Sequence, residues 1–299
     1  IITIVSKRST DGGKTWSDMS IVAQGDTVAK CGYGDAVVIA DEKRGNLVAV
    51  FSGNNGLWHS NEESLIRTYT AISKDNGHTW GAVTDITDQV YGGIYGEGTR
   101  YGLFTGSGSG VQLKHGPHAG RIMLVVAARN DASWGGTMSN YAVYSDDGGI
   151  TWHTSKTPAC TNGDEAKVVE LSNGDILMSI RNRAKGHRLF SKSTDGGETW
   201  KEISKDKAIG NGIIYVHPEK GWVYIANKDG AIRSKDGGIT FKKMLDAYCC
   251  GMSVVNSKPN NVYISAKEGF FVSTNGGDSF TMINESGYPT RYPARVNVS

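Results

Sequence analysis

The chain has 299 residues, enough for a sizeable core in one all-β domain. Lys+Arg total 32 and Asp+Glu total 30, a net charge of +2 that gives no footing for nucleic acid. No run of 18 apolar residues is present, so no membrane span is expected, and 40 glycines against 6 prolines point to many tight turns.

The chain opens in a strand-like run, Ile2 to Val5, and at Ser9 meets the first of six copies of one short pattern. The copies begin at Ser9 (STDGGKTW), Ser73 (SKDNGHTW), Ser145 (SDDGGITW), Ser193 (STDGGETW), Ser234 (SKDGGITF) and Ser273 (STNGGDSF), at intervals of 64, 72, 48, 41 and 39 residues. Ser and Asp side chains bond the backbone of their own turn, and Gly supplies positive φ. The closing Trp or Phe is expected to fold back as a buried apolar anchor. Strand-like flanks, Ala142 to Tyr144 and Gly269 to Val272 among them, make each copy a turn between antiparallel strands. Repeats of about 40 residues suit four-stranded blades, so the expected fold is an all-β, six-bladed β-propeller of antiparallel blades, with residues 1–299 as one domain. Because the first turn lies so near Ile1, the stretch Gly287 to Ser299, with Arg295-Val296-Asn297-Val298, is the candidate for the inner strand that closes the ring, the alternatives being an open ring or one completed by residues absent from this sequence. The turns do not match calcium-loop spacing and read as structural. The longer early intervals leave room for loops that build a site.

Cys31, Cys160, Cys249 and Cys250 form no Cys-x-x-Cys pair, which removes the usual zinc framework, and buried thiols are expected rather than a disulfide. No metal ligand set and no cofactor motif is assigned.

Between the turns, residues 1 to about 200 carry Gly34-Asp35-Ala36-Val37-Val38, Gly56-Leu57-Trp58, Gly106 to Leu113, and Gly163-Asp164-Glu165-Ala166-Lys167-Val168-Val169-Glu170-Leu171 followed by Gly174 to Arg183. These phrases resemble exo-sialidases, and the six turns resemble the aspartate boxes of that superfamily. The resemblance implies an exo-α-sialidase that retains configuration at the anomeric carbon. A carboxylate nucleophile would be repelled by the carboxylate of sialic acid, so the family uses a Tyr activated by a Glu. Glu165 is the implied base. Arg181, sixteen residues on, is the implied anchor of the substrate carboxylate through paired N–H bonds. Asp35 and Trp58 are implied sugar contacts. Read without the resemblance, Glu165 and Arg181 form a surface ion pair, Asp35 caps a turn and Trp58 packs.

The pattern then departs from the family. No Arg-Ile-Pro motif precedes the first box. The nearest arginine phrase is Thr290-Arg291-Tyr292-Pro293, which makes Arg291 the candidate first arginine in a permuted arrangement, or else a solvated terminal one. The acid/base Asp expected just upstream of the first box has no counterpart. Tyr248, in Asp246-Ala247-Tyr248-Cys249-Cys250, is the candidate nucleophile, or else a packed strand residue. Arg233 is the candidate third arginine, although it abuts the box at Ser234 and strand alternation also lets it point into its blade. The last third resembles sortilin-type and endoglucanase propeller blades. The implied partner is a sialylated glycan, the chain is expected to be a monomer, and a secreted or cell-surface location follows from the resemblance. The runner-up reading is a catalytically impaired propeller serving as a glycan-binding or structural module.

Overall fold

The computed structural model describes residues 1–11, 13–29, 31–106, 108–184, 188–203, 212–255 and 257–284. The candidate Arg291 and the expected closing strand lie outside them.

Almost every element is a strand. The first box joins β1 (Ile4–Ser6) to β2 (Ser20–Ala23) in a two-stranded sheet. Next come β3 (Tyr33–Asp41), β4 (Asn46–Gly53), β5 (Arg67–Ser73) and β6 (Thr84–Asp85), paired antiparallel in chain order. Helix α1 (Thr87–Tyr95) and β7 (Leu103–Thr105) lead to β8 (Gly108–Ser109), which adds to β3 as a parallel fifth strand, and to β9 (Val111–Gln112). The third sheet runs β12 (His153–Thr154), β11 (Met138–Ser145), β10 (Ile122–Arg129), β7, with β9 also on β10. Three four-stranded sheets follow in chain order. They are β13 (Gly163–Glu170), β14 (Ile176–Asn182), β15 (Leu189–Ser193), β16 (Lys201–Glu202); β17 (Gly212–Val216), β18 (Val223–Asn227), β19 (Gly230–Ser234), β20 (Lys242–Leu245); and β21 (Cys249–Val255), β22 (Lys258–Ala266), β23 (Gly269–Ser273), β24 (Thr281–Asn284). In each of the five larger sheets the box stands between the last two strands of the meander.

The box chemistry is as the residue types imply. In the second box Ser73 Oγ accepts from Gly77 N at 2.8 Å and donates to Asp75 Oδ1 at 2.8 Å, and Thr79 Oγ1 donates to Asp75 Oδ2 at 2.6 Å. The same three contacts recur around Ser145, Ser193 and Ser234. In the sixth box Asn275 replaces the carboxylate, accepting from Ser279 N and donating to Ser279 Oγ. The closing aromatic is not uniformly a buried anchor. Trp152 is 3 % exposed within the core, whereas Trp16 is 60 % exposed. Trp16 keeps its Nε1–H bond to Gly13 O, but its sheet has two described strands and offers little to cover the ring.

The chain divides into two compact units: Ile1–Glu170 with Gly174–Ile180 and Lys192–Lys201, and Leu171–Asn173 with Arg181–Ser191 and Glu202–Ser299. The first is centred on Val37, Ile39, Val48, Val50, Ile122, Leu124 and Val126, whose alternation on β3, β4 and β10 turns one face of each strand inward. In the second, Tyr224, Met252, Val262, Ile264 and Phe271 pack the last two sheets together. All four cysteines are free thiols, and burial pushes the Cys249 thiol up to about 12. Among the described residues no helix is long and apolar enough to cross a membrane.

Candidate active site

Asp35 sits at a break in register on β3, between Gly34 and Val37. Its φ of 53° is unusual for a residue with a Cβ, and such a bulge re-aims a side chain away from the sheet alternation. The conformation is held from β7, because Thr105 Oγ1 donates to Asp35 O at 2.5 Å while Thr105 N donates to Ser52 Oγ at 3.1 Å. Asp35 is exposed and lines a cleft of about 510 Å³ with Gly34, Ser52, Asn54, Leu57 and Phe104.

One residue beyond Thr105, the Gly106 carbonyl accepts from Lys167 Nζ, which ties β7 to β13. Lys167 is half-buried, and that burial lowers its amine pKa against the opposing pull of the Glu165 carboxylate. Glu165 lies two residues before Lys167, on the same face of β13 by strand alternation, and is exposed. The start of β13 is fixed by Asn140, whose Nδ2 donates to Asp164 O at 2.7 Å. Asp164 Oδ1 accepts from Glu165 N at 3.0 Å. A Cβ on Gly163 would stand 2.6 Å from Ile180 Cγ2, so the far end of β14 returns beside the start of β13. Arg181, the next residue, is exposed.

Trp58 lies on a single 3-10 turn, Leu57–His59, and is half-buried. Its ring centroid is 6.3 Å from that of Trp134, and the Arg129 guanidinium stands 5.3 Å from it.

Tyr248 precedes β21 and is exposed. The Lys267 ammonium stands 4.0 Å from its ring centroid, and its N–H points to the Glu268 carboxylate at 3.2 Å. Arg233 is 5 % exposed. Its guanidinium donates to Gly276 O and to Asp278 Oδ1 (2.5 Å) of the sixth box and lies 4.7 Å from the Trp222 ring centroid. Arg121 makes the same kind of contact in the first unit, donating to Gly196 O and Asp146 and lying over Tyr144. The alternation of β19 thus turns Arg233 into sheet packing.

Sequence reasoning missed Thr105, Lys167, Arg129 and Trp134. Lys167 stood inside the phrase Gly163 to Leu171 with no role assigned to it, and Thr105 immediately preceded the phrase Gly106 to Leu113. Trp134 carried one signal, an aromatic within Ser133-Trp134-Gly135-Gly136 in the longest interval between boxes.

Meandering antiparallel sheets with a Ser-x-Asp-x-Gly turn before the last strand define a class of repeat-built, propeller-type β proteins. A model of the BNR repeat-like domain matches residues 2–246, and the chain belongs to that family, within the sialidase superfamily. It is 34 % identical over 217 residues to a sialidase of Micromonospora viridifaciens, covering 69 % of this chain and 32 % of that protein. A sialidase of Bacteroides fragilis (strain YCH46) is 31 % identical over 211 residues, 65 % of this chain and 36 % of that protein. The chain therefore spans about a third of the length of these curated relatives. Among solved structures, Hadza microbial sialidase Hz136 superposes with a TM-score of 0.65 at 23 % identity, over 94 % of this chain and 59 % of that one. The Trypanosoma rangeli sialidase in complex with sialic acid does so with a TM-score of 0.60 at 18 % identity, over 92 % and 47 %. These superpositions bear on the fold alone.

Proposed function

We propose that the chain is a sialidase-like glycoside hydrolase that releases terminal sialic acid from glycoconjugates with retention of configuration. The observation that carries this is the β13–β14 hairpin, which presents Glu165 and Arg181 as exposed side chains within the phrase Gly163–Arg183. In the proposed first step Tyr248 Oη attacks the anomeric carbon while its proton passes to the Glu165 carboxylate. The bond to the aglycone oxygen breaks, and that oxygen leaves as an anion or takes a proton. In the second step water adds to the same carbon and the bond to Tyr248 breaks; Glu165 returns its proton to the phenolate, and the proton that the water loses passes to solvent, balancing the one the aglycone anion takes up there. Arg181 grips the substrate carboxylate in a planar, two-bond geometry. Asp35 contacts the ring substituents from the cleft. Arg291 stays the candidate first arginine. Arg233, engaged by the sixth box, is left out of the substrate contacts.

That engagement of Arg233 also favours a second reading, a propeller that binds sialylated glycans without turning them over. An activated aryl α-sialoside separates the two, because its leaving group needs little protonation. Glu165→Gln and Tyr248→Phe are both expected to abolish release. A folded parent chain without turnover leaves the binding reading.

A further inference from the structure

One turn holds Tyr248 from both sides. Lys267 N donates to Tyr248 O at 3.0 Å, and Tyr248 N donates to the Glu268 carboxylate at 3.2 Å. Both partners sit between β22 and β23, directly after Ala266, which pairs with Cys249. The grip uses the backbone of Lys267 and leaves its side chain free for a separate task. The Lys267 ammonium stands 4.0 Å from the centroid of the Tyr248 ring. Lys243, on β20, is paired with Asp246 at 2.5 Å, whereas Lys267 makes no ion pair among the described residues.

A cation over a neutral phenol meets only the ring quadrupole, but over a phenolate it meets a full negative charge. The contact is therefore stronger with the form of tyrosine that attacks. The other charged and titratable groups here are already engaged. Glu268 faces the Tyr248 backbone, Asp246 is taken by Lys243, and Cys250, whose thiol burial pushes up against the pull of Lys267, donates to Tyr248 O at 3.7 Å. Another sheet places a cation at the same corner. Ile180, beside the start of β13, is followed by Arg181, and Ala266, beside the start of β21, is followed by Lys267. Glu165 and Tyr248 stand at those two strand openings.

We propose that Lys267 is a positioning residue for Tyr248, its ammonium stabilising the phenolate as the nucleophile forms in the first step and as it leaves in the second. Its place in the reaction rests on the hydrolase reading, while its hold on Tyr248 reactivity is measured without turnover.

The test is the rate at which an aryl sulfonyl fluoride modifies Tyr248 in the whole chain, followed by peptide mass spectrometry. The phenol oxygen bonds to sulfur, fluoride leaves and the phenol proton passes to solvent. Lys267→Met keeps the backbone grip and removes the charge. Labelling at low salt should slow roughly fivefold, the low end for a charge pair near the surface, while Lys267→Arg stays close to the parent. About 1 M salt should shrink the difference, as lost packing would not. The melting temperature should be unchanged, because Lys267 is exposed. Equal labelling of the parent and Lys267→Met, or a difference that salt leaves intact, overturns the proposal. Aryl α-sialoside turnover measured in parallel keeps the two claims apart. Slower labelling of Lys267→Met beside a folded parent without turnover sinks the hydrolase and leaves Lys267 in control of Tyr248 reactivity. Turnover whose kcat is the same in Lys267→Met keeps the hydrolase and overturns the part given to Lys267.

Discussion

The hydroxyl of Thr105 donates to the backbone carbonyl of Asp35 at 2.5 Å, and Asp35 is held at a φ of 53°. A left-handed aspartate at a bulge, fixed from a neighbouring sheet and facing a cleft, has the character of a position kept for its side chain. Asp35→Gly should therefore raise stability by ~0.5–1 kcal/mol, because glycine adopts this conformation without strain. The same change should lower kcat/KM on a sialoside at least tenfold. Thermal melts set beside kinetics check this, and a loss of stability as large as the loss of rate would make Asp35 structural.

Arg233 and Arg181 should separate cleanly. Arg233→Lys loses the two-pronged contact with Gly276 O and Asp278, so the denaturation midpoint should fall by an amount equivalent to ~1–3 kcal/mol with KM unchanged. Arg181 is exposed, and Arg181→Lys should raise KM while shifting the midpoint less than Arg233→Lys does. A KM effect at Arg233 would restore it to the substrate contacts.

The boxes predict an acid limit. Burial raises the Asp147 carboxyl pKa, but hydrogen bonds from Thr151 and Ser145 outweigh it and hold the group at about 2, below its ordinary 3.8. Asp195 and Asp236 are lowered against burial in the same way. A depressed carboxyl stabilises the fold above the unfolded value and loses that contribution as pH falls through the folded one. Melting temperature should therefore hold above about pH 4 and fall between about 4 and 2. Asp147→Asn should be less stable at neutral pH and show a shallower fall. A parallel fall in the variant would contradict the assignment.

The six boxes made the hairpins legible, because each is a local turn whose partners lie within eight residues. Helix α1 was not legible. Its sequence, TDQVYGGIY, places two glycines and several β-branched or aromatic residues where a helix gains little from propensity. It forms because Val90 and Tyr91 are buried in the core, Tyr91 Oη donates to Ile66 O at 2.5 Å, and Gly93 lies against Thr154 too closely for a Cβ. Gly93→Ala should consequently destabilise by ~1–3 kcal/mol despite alanine's better helix propensity, as a denaturant titration would register. The site divides in the same way. Glu165, Arg181 and Asp35 have roles that recognisable phrases imply, whereas Thr105, Lys167 (although it stands in the Glu165 phrase) and Arg129 bond to Asp35, Gly106 and Leu57, each more than 50 residues away, which no local pattern reveals.

The most direct test of the hydrolase assignment is release of the aglycone from a fluorogenic aryl α-sialoside by the parent chain, Glu165→Gln and Tyr248→Phe, each shown folded by its melt. Release by the parent that both substitutions abolish is the predicted result. Release that survives Glu165→Gln, or a folded parent that releases nothing, would contradict it.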